Sequence, residues 1–227
     1  MCTVSWLHQT DGYHLLCNRD EKRTRGVAVG PRAAERDGVR YLAPTDFDQR
    51  GTWLAVNEYG LSFCLLNGPP PAHPPAHSRG HLIPQLIHAR DLDHAAGLLR
   101  STALAAYAPH TLLILQPQRT ALIVTWDGRR IAFLPDGEPH KPLTSSSVDP
   151  DRARRNRCRE FAQRPRDTPA GLYDFHSSPV SCVHRADAET VSFSWIVVAA
   201  RDVRFFYSPA PPCKWAPGEQ ITLPRAA

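Results

Sequence analysis

A chain of 227 residues with 42% hydrophobic and 22% charged residues is long enough to bury a core and too apolar for a disordered chain. The formal charge of +5 is carried by arginine and suits an anionic small ligand. No basic stripe with interleaved aromatics calls for nucleic acid, and no run reaches the ~18 apolar residues of a membrane span.

Cysteines stand at 2, 17, 64, 158, 182 and 213, with no Cys-x-x-Cys pair. No basic, apolar leader opens the chain. We therefore expect one cytoplasmic domain over residues 1–227, with no structural disulfide and no zinc knuckle.

In chain order, Thr3 to Leu7 and Tyr13 to Cys17 are apolar runs joined by Asp11-Gly12, a hairpin signal. The polar stretch 21–50 reads as long loops, able to cover a site. Thr52 to Val56 and Leu61 to Leu66 form a second strand pair across Tyr59-Gly60. The prolines of 68–75 exclude helix and central strand. Leu82 to Arg90 and Asp91 to Tyr107 carry helical spacing. Leu112 to Leu115, Ala121 to Trp126 and Arg130 to Leu134 return as strands. Asp149 to Gln163 reads as a helix capped by Asp149, opened by Pro150 and stopped by Pro165. Thr190 to Val198 and Val203 to Tyr207 are the last strands. Hairpin-linked strands grouped apart from helices predict an α+β fold, two antiparallel sheets with helices on both outer faces.

Cys2 is the first chemical candidate. Excision of Met1, expected before so small a residue, gives one residue a thiol and a free α-amine. An amine of pKa about 7.7–8.0 can take the thiol proton without a histidine. The strand that follows holds this terminus in place. Asn18-Arg19-Asp20-Glu21 ends the strand that pairs with it, beside the N-terminus. Arg19 can lower the thiol pKa or bind a substrate carboxylate; Asp20 can hold the ammonium or orient the amine. Alternation lets only one of the two face the Cys2 cavity, and we expect Asp20, beside the Cys2 amine. Asn57 and Asn67 each close a strand before a turn and can serve as turn residues or oxyanion donors. Of these, Asn57 is expected to face the Cys2 cavity. Arg185, after Ser181-Cys-Val-His184, is either a surface residue or an anion contact. His73, His77 and His81 are four apart, but Pro74 and Pro75 break the helix that would make them metal ligands. No metal and no cofactor is expected. Arg152, Arg154, Arg155, Arg157 and Arg159 read as a solvated helix face.

Met-Cys-Thr-Val, Cys-Asn-Arg-Asp-Glu and Gly-Thr-Trp-Leu-Ala-Val-Asn resemble the NRDE family, which includes the transport and Golgi organisation protein 2 relatives. The likeness covers residues 2–68 and resumes at Ser181 to Arg185 and Thr190 to Ser192. It implies the N-terminal nucleophile hydrolase fold, a four-layer αββα sandwich, with Cys2 as nucleophile. More distantly, Asn57-Glu-Tyr-Gly-Leu resembles a segment of choloylglycine hydrolases and penicillin V acylases whose asparagine helps form the oxyanion hole. Those relatives carry Arg-Asn-x-Asp where this chain has Asn18-Arg19-Asp20.

The expected activity is hydrolysis or transfer of an acyl group at a linear, non-peptide C–N bond. Cys2, Asp20 and Asn57 would be catalytic; Arg19, Asn18, Asn67 and Arg185 would bind the small acyl amide. The competing expectation is a carrier of haem or of a lipid or acyl ligand on the same scaffold.

Overall fold

The computed structural model describes residues 2–71, 73–214 and 219–226. β1 (Cys2–Gln9) and β2 (Gly12–Lys22) pair antiparallel, in register from Cys2 opposite Arg19 to Gln9 opposite Gly12. Gly12 is required by close approach: a Cβ there would lie 1.8 Å from the Val198 carbonyl oxygen of the neighbouring strand. β3 (Val29–Arg36) and β4 (Val39–Thr45) form a hairpin where long loops were expected. Its turn residues Asp37 and Gly38 both have positive φ, 50° and 76°, as the tightest hairpin turn demands. The hairpin is hard to read because most of β3 is exposed and carries no apolar alternation.

β5 (Leu54–Asn57) and β6 (Ser62–Asn67) follow, then α1 (Leu82–Leu86) and α2 (Leu92–Ser101). β7 (His110–Leu115), β8 (Leu122–Trp126), β9 (Ile131–Leu134) and the short β10 (Leu143–Thr144) lead to α3 (Pro150–Ala162). Asp149 caps α3 by accepting from the Arg152 N–H, with Pro150 in the first turn. α4 (Pro169–Ser177) is an additional helix, capped by Thr168. β11 (Ala188–Val198), β12 (Asp202–Ser208) and an additional last strand, β13 (Glu219–Pro224), complete the chain.

Two antiparallel sheets result, in the orders β10-β1-β2-β11-β12-β13 and β3-β4-β5-β6-β7-β8-β9. Strand alternation sorts their side chains. Val4, Trp6, Leu15, Leu54, Val56 and Leu113 meet between the sheets. Phe63, Leu112 and Ile114 turn outward onto Leu82, Leu86, Leu92 and Leu99 of α1 and α2. Leu16 and Phe193 turn the other way, onto Phe161 of α3 and Leu172 and Phe175 of α4. The layers are therefore helix, sheet, sheet, helix, as the sequence predicts. Among the described residues no helix is long and apolar enough to cross a membrane.

Candidate active site

Cys2 opens β1 and points between the sheets, 5% exposed. Its peptide N–H donates to Ser145 Oγ at 3.0 Å, and its carbonyl accepts from the Ser145 N–H at 2.9 Å. The chain leaving β10 thus pins this end of β1. A hydrogen bond with the Cys17 thiol, and burial, push the Cys2 thiol well above its usual pKa. Cys17 Sγ in turn receives Cys64 Sγ at 3.9 Å. A thiol in this setting stays protonated unless a base takes the proton. Met1 lies outside the described residues, so its expected excision is not addressed by the structure.

Cys2 lines a cavity of about 190 Å³ together with Arg19, Asp46, Trp53, Asn67 and Arg79. Arg19 is the direct cross-strand neighbour of Cys2, so the two side chains share one face of the sheet. Its guanidinium lies over the Trp53 ring at 4.5 Å and pairs with Asp46 at 2.5 Å. Arg25 reaches the same carboxylate at 2.8 and 2.9 Å. Burial favours the neutral form of Asp46, but the Gln49 N–H and the Arg25 guanidinium outweigh it and hold the carboxyl below its usual value.

Three groups lining this cavity retain binding capacity. Asn67, at the end of β6, makes no side-chain hydrogen bond among the described residues. The Trp53 indole N–H is buried without a partner. Arg79 donates to the Pro109 carbonyl at 2.8 Å. No carboxylate lies within ion-pairing distance of it among the described residues. Burial lowers the Arg79 pKa, which marks a cation held in a poorly solvated place.

Of the Asn-Arg-Asp-Glu tetrad, Glu21 lines the cavity with Arg19, and Asn18 and Asp20 lie behind the sheet. Alternation along β2 sends Arg19 into the cavity and Asn18 and Asp20 towards α3 and α4, the reverse of the facing expected for Asp20. Asp20 is fully buried and accepts from Thr190 Oγ1 at 2.6 Å and from Arg157 at 3.3 Å. Burial raises its carboxyl pKa against the pull of Arg157 and Thr190. Arg157 is no solvated residue: it is 5% exposed and also bonds Thr144 Oγ1 and the Ser145 carbonyl. It therefore joins Asp20 to the segment that holds Cys2.

Three expected site residues fall elsewhere. Asn18 donates to the His176 and Ser181 carbonyls at 2.9 and 3.0 Å, and its Oδ1 meets His176 Nδ1 at 2.9 Å. Asn57 donates to the Ile87 and Ala89 carbonyls at 2.8 and 2.7 Å and accepts from the Tyr59 and Leu61 N–H groups at 3.1 Å. Both amides are fully occupied, and neither lines the Cys2 cavity. Asn57 is thus the turn residue of its two alternatives and offers no donor to an oxyanion. Arg185 pairs with Asp187 at 2.9 Å on the surface, away from this cavity.

Ser145, Arg157, Trp53 and Arg79 were not singled out as site residues from the sequence. Trp53 sits inside the segment Gly-Thr-Trp-Leu-Ala-Val-Asn, but Ser145 reaches the site from a loop and Arg79 from the 3-10 turn Arg79–His81, by approaches that are purely tertiary.

Solved structures share this architecture at low identity. Penicillin V acylase from Agrobacterium tumefaciens superposes with a TM-score of 0.59 at 11% identity, over 92% of this chain and 83% of that one. The Caenorhabditis elegans orthologue of N-acylethanolamine-hydrolyzing acid amidase gives 0.59 at 12% identity, over 86% and 92%. The C2A mutant of conjugated bile acid hydrolase from Clostridium perfringens gives 0.57 at 12%, over 98% and 96%. The fold is that of the N-terminal nucleophile hydrolases. No curated protein matches the chain in sequence. The sequence signature of Transport and Golgi organisation 2 covers residues 1–144, more than half of the chain, and the protein belongs to that family.

Proposed function

We propose that this protein is an N-terminal cysteine amidohydrolase or acyltransferase acting on a small acyl amide that bears an anionic group. The observation that carries the reading is the joint lining of one cavity by Cys2, its cross-strand partner Arg19 and the unpaired cation Arg79. The three structural relatives are named as an acylase, an acid amidase and a bile acid hydrolase, which supports amide chemistry on this scaffold.

Once Met1 is removed, the Cys2 nitrogen beside Ser145 Oγ becomes an amine of pKa about 7.7–8.0. It takes the Cys2 thiol proton, and the Arg19 guanidinium favours the thiolate. The thiolate attacks the substrate carbonyl carbon. The oxyanion is received by the Asn67 amide and the Trp53 indole N–H, the donors left without internal partners. The ammonium then returns its proton to the departing amine, leaving a thioester. Water, deprotonated by the same amine, releases the acid and restores the thiol. Asp20, behind the strand, counters the transient ammonium charge through space. Arg79 binds the anionic part of the substrate.

A haem or lipid carrier finds less support, because this cavity is small and lined mainly by charged and polar groups. Intact mass after incubation with a panel of anionic acyl amides tests the reading. An acyl adduct on the N-terminal peptide is expected, and Cys2→Ala should lose both adduct and turnover, on the order of 10⁶-fold. An adduct that persists in Cys2→Ala would overturn the assignment.

A further inference from the structure

A second cluster lies apart from the Cys2 cavity. Cys182 Sγ stands 3.4 Å from Cys213 Sγ and 3.5 Å from His184 Nε2, and His184 Nε2 stands 3.1 Å from Cys213 Sγ. The cysteines are free thiols. All three donor atoms lie within 4.8 Å of one another.

The triangle is held by the fold rather than by chance side-chain positions. Cys182 lies at a bend and His184 two residues on in a single β-bridge, and the side chains of both reach Cys213. The Cys182 N–H donates to the Ser178 carbonyl at 2.8 Å, and the Val183 N–H to Thr190 Oγ1 at 2.8 Å. An antiparallel bridge pairs His184 with Glu189. Cys213 comes from the turn Pro212–Lys214 after β12. The Tyr173 hydroxyl fastens that turn by donating to the Pro212 carbonyl at 2.7 Å. Cys182 is buried, whereas His184 and Cys213 are exposed, so an ion can enter from solvent.

Bonds of about 2.3 Å to sulfur and 2.0–2.1 Å to nitrogen, at tetrahedral angles, separate donor atoms by roughly 3.5–3.8 Å. The observed edges of 3.1 to 3.5 Å need only a few tenths of an ångström of expansion to meet that spacing. Two thiolates with one imidazole suit zinc, and three protein ligands leave a fourth position for water or an outside ligand.

We propose that Cys182, His184 and Cys213 bind a zinc ion, an assignment independent of the chemistry at Cys2. Binding releases one proton from each thiol, so the ion and its two thiolates sum to zero charge; the imidazole binds neutral. The site is also joined to the back of the catalytic strand. Thr190 Oγ1 accepts from the Val183 N–H and donates to Asp20, so the metal-bearing segment and Asp20 share one hydroxyl.

The test is competition between the reduced, metal-stripped full chain and a chromophoric chelator for added zinc. One zinc per chain is expected, with two protons released. His184→Gln and Cys213→Ser change exposed residues, so folding should survive and can be checked by denaturation. Each should weaken zinc binding by more than the roughly 10- to 100-fold that loss of an outer-shell partner costs. Three results would each overturn the proposal. One is no binding by the reduced wild-type chain. Another is unchanged affinity in both variants. The third is zinc that disappears with Cys2→Ser instead, which would place it at the buried thiols of the core.

Discussion

The helix side of the first sheet and its cavity side use the same residue types to opposite ends. Behind the sheet, Asn18 is closed into a network with both its donors and its acceptor matched. Asn57, under α1 and α2, is closed in the same way. At the cavity, Asn67 and the Trp53 indole meet no such partners among the described residues. A buried amide with every group matched rigidifies the fold and has nothing left for a ligand. An amide at the mouth of a cavity with no internal partner, as the exposed Asn67 is, remains available to bind. Candidate residues are therefore better ranked by unoccupied hydrogen-bonding capacity than by residue type.

The pair Asn67 and Asn57 gives the sharpest way to break this comparison. Asn67→Ala should lower kcat by about 100- to 1000-fold, the usual cost of one oxyanion donor, with little effect on unfolding by urea. Asn57→Ala should do the opposite. It strands two carbonyls and two N–H groups in the core and should cost about 2–4 kcal/mol of stability, with kcat per folded molecule retained. If turnover collapses in Asn57→Ala and survives in Asn67→Ala, the donor assignment is reversed.

A smaller effect separates the two faces of β2. Asn18→Ala should cost about 1–3 kcal/mol in denaturant unfolding, because the His176 and Ser181 carbonyls lose their donor. On the proposed mechanism, Arg19→Ala should chiefly move the pH dependence of Cys2 alkylation, by removing a cation beside the thiol on the same face of the sheet. A shifted alkylation profile in Asn18→Ala, with none in Arg19→Ala, would contradict the division of the tetrad by strand alternation.

Much of this fold can be read from periodicity and turn chemistry. Asp149-Pro150 marks α3, and Asp11-Gly12 flags the first hairpin although the turn itself is Thr10-Asp11 and Gly12 already pairs with Gln9. β3 and β4 escape the same reading although Asp37-Gly38 is an equally local turn. Arg32, Glu35 and Arg36 stand on an exposed edge strand and leave no apolar alternation to notice. At the site, the placing of Cys2 beside the end of β2 is legible from the hairpin and the strand that follows it. Asp20 is misread because residues adjacent on a strand face opposite ways, and only the register with β1 decides which way each faces. Arg79 follows a proline-dense segment, and Cys213 stands 31 residues beyond Cys182. Their placement depends on contacts that no local pattern encodes.

The helix side of the sheet also predicts an acid response. His176 is fully buried, with Nε2 2.9 Å from Ser5 Oγ and Nδ1 2.9 Å from Asn18 Oδ1. Because the Asn18 amide nitrogen already donates to two carbonyls, its oxygen must accept, so Nδ1 carries the proton and Nε2 accepts from Ser5. The ring is thus neutral and fully matched, and burial lowers its pKa to about 3. In the unfolded chain the same ring titrates near 6.5. Between these values the unfolded state binds a proton that the folded state refuses. This contribution is therefore complete above pH ~6.5 and is lost as the pH falls towards 3, by about 1.4 kcal/mol per pH unit. Urea unfolding between pH 7 and pH 5 should show stability falling with pH, and His176→Gln should lessen the slope, since His8, His14 and His110 act with the same sign. Should the variant fail to fold, the imidazole resonances of the wild-type protein still decide the matter. A ring at position 176 that protonates near pH 6.5 in the folded protein would show that its burial does not keep it neutral.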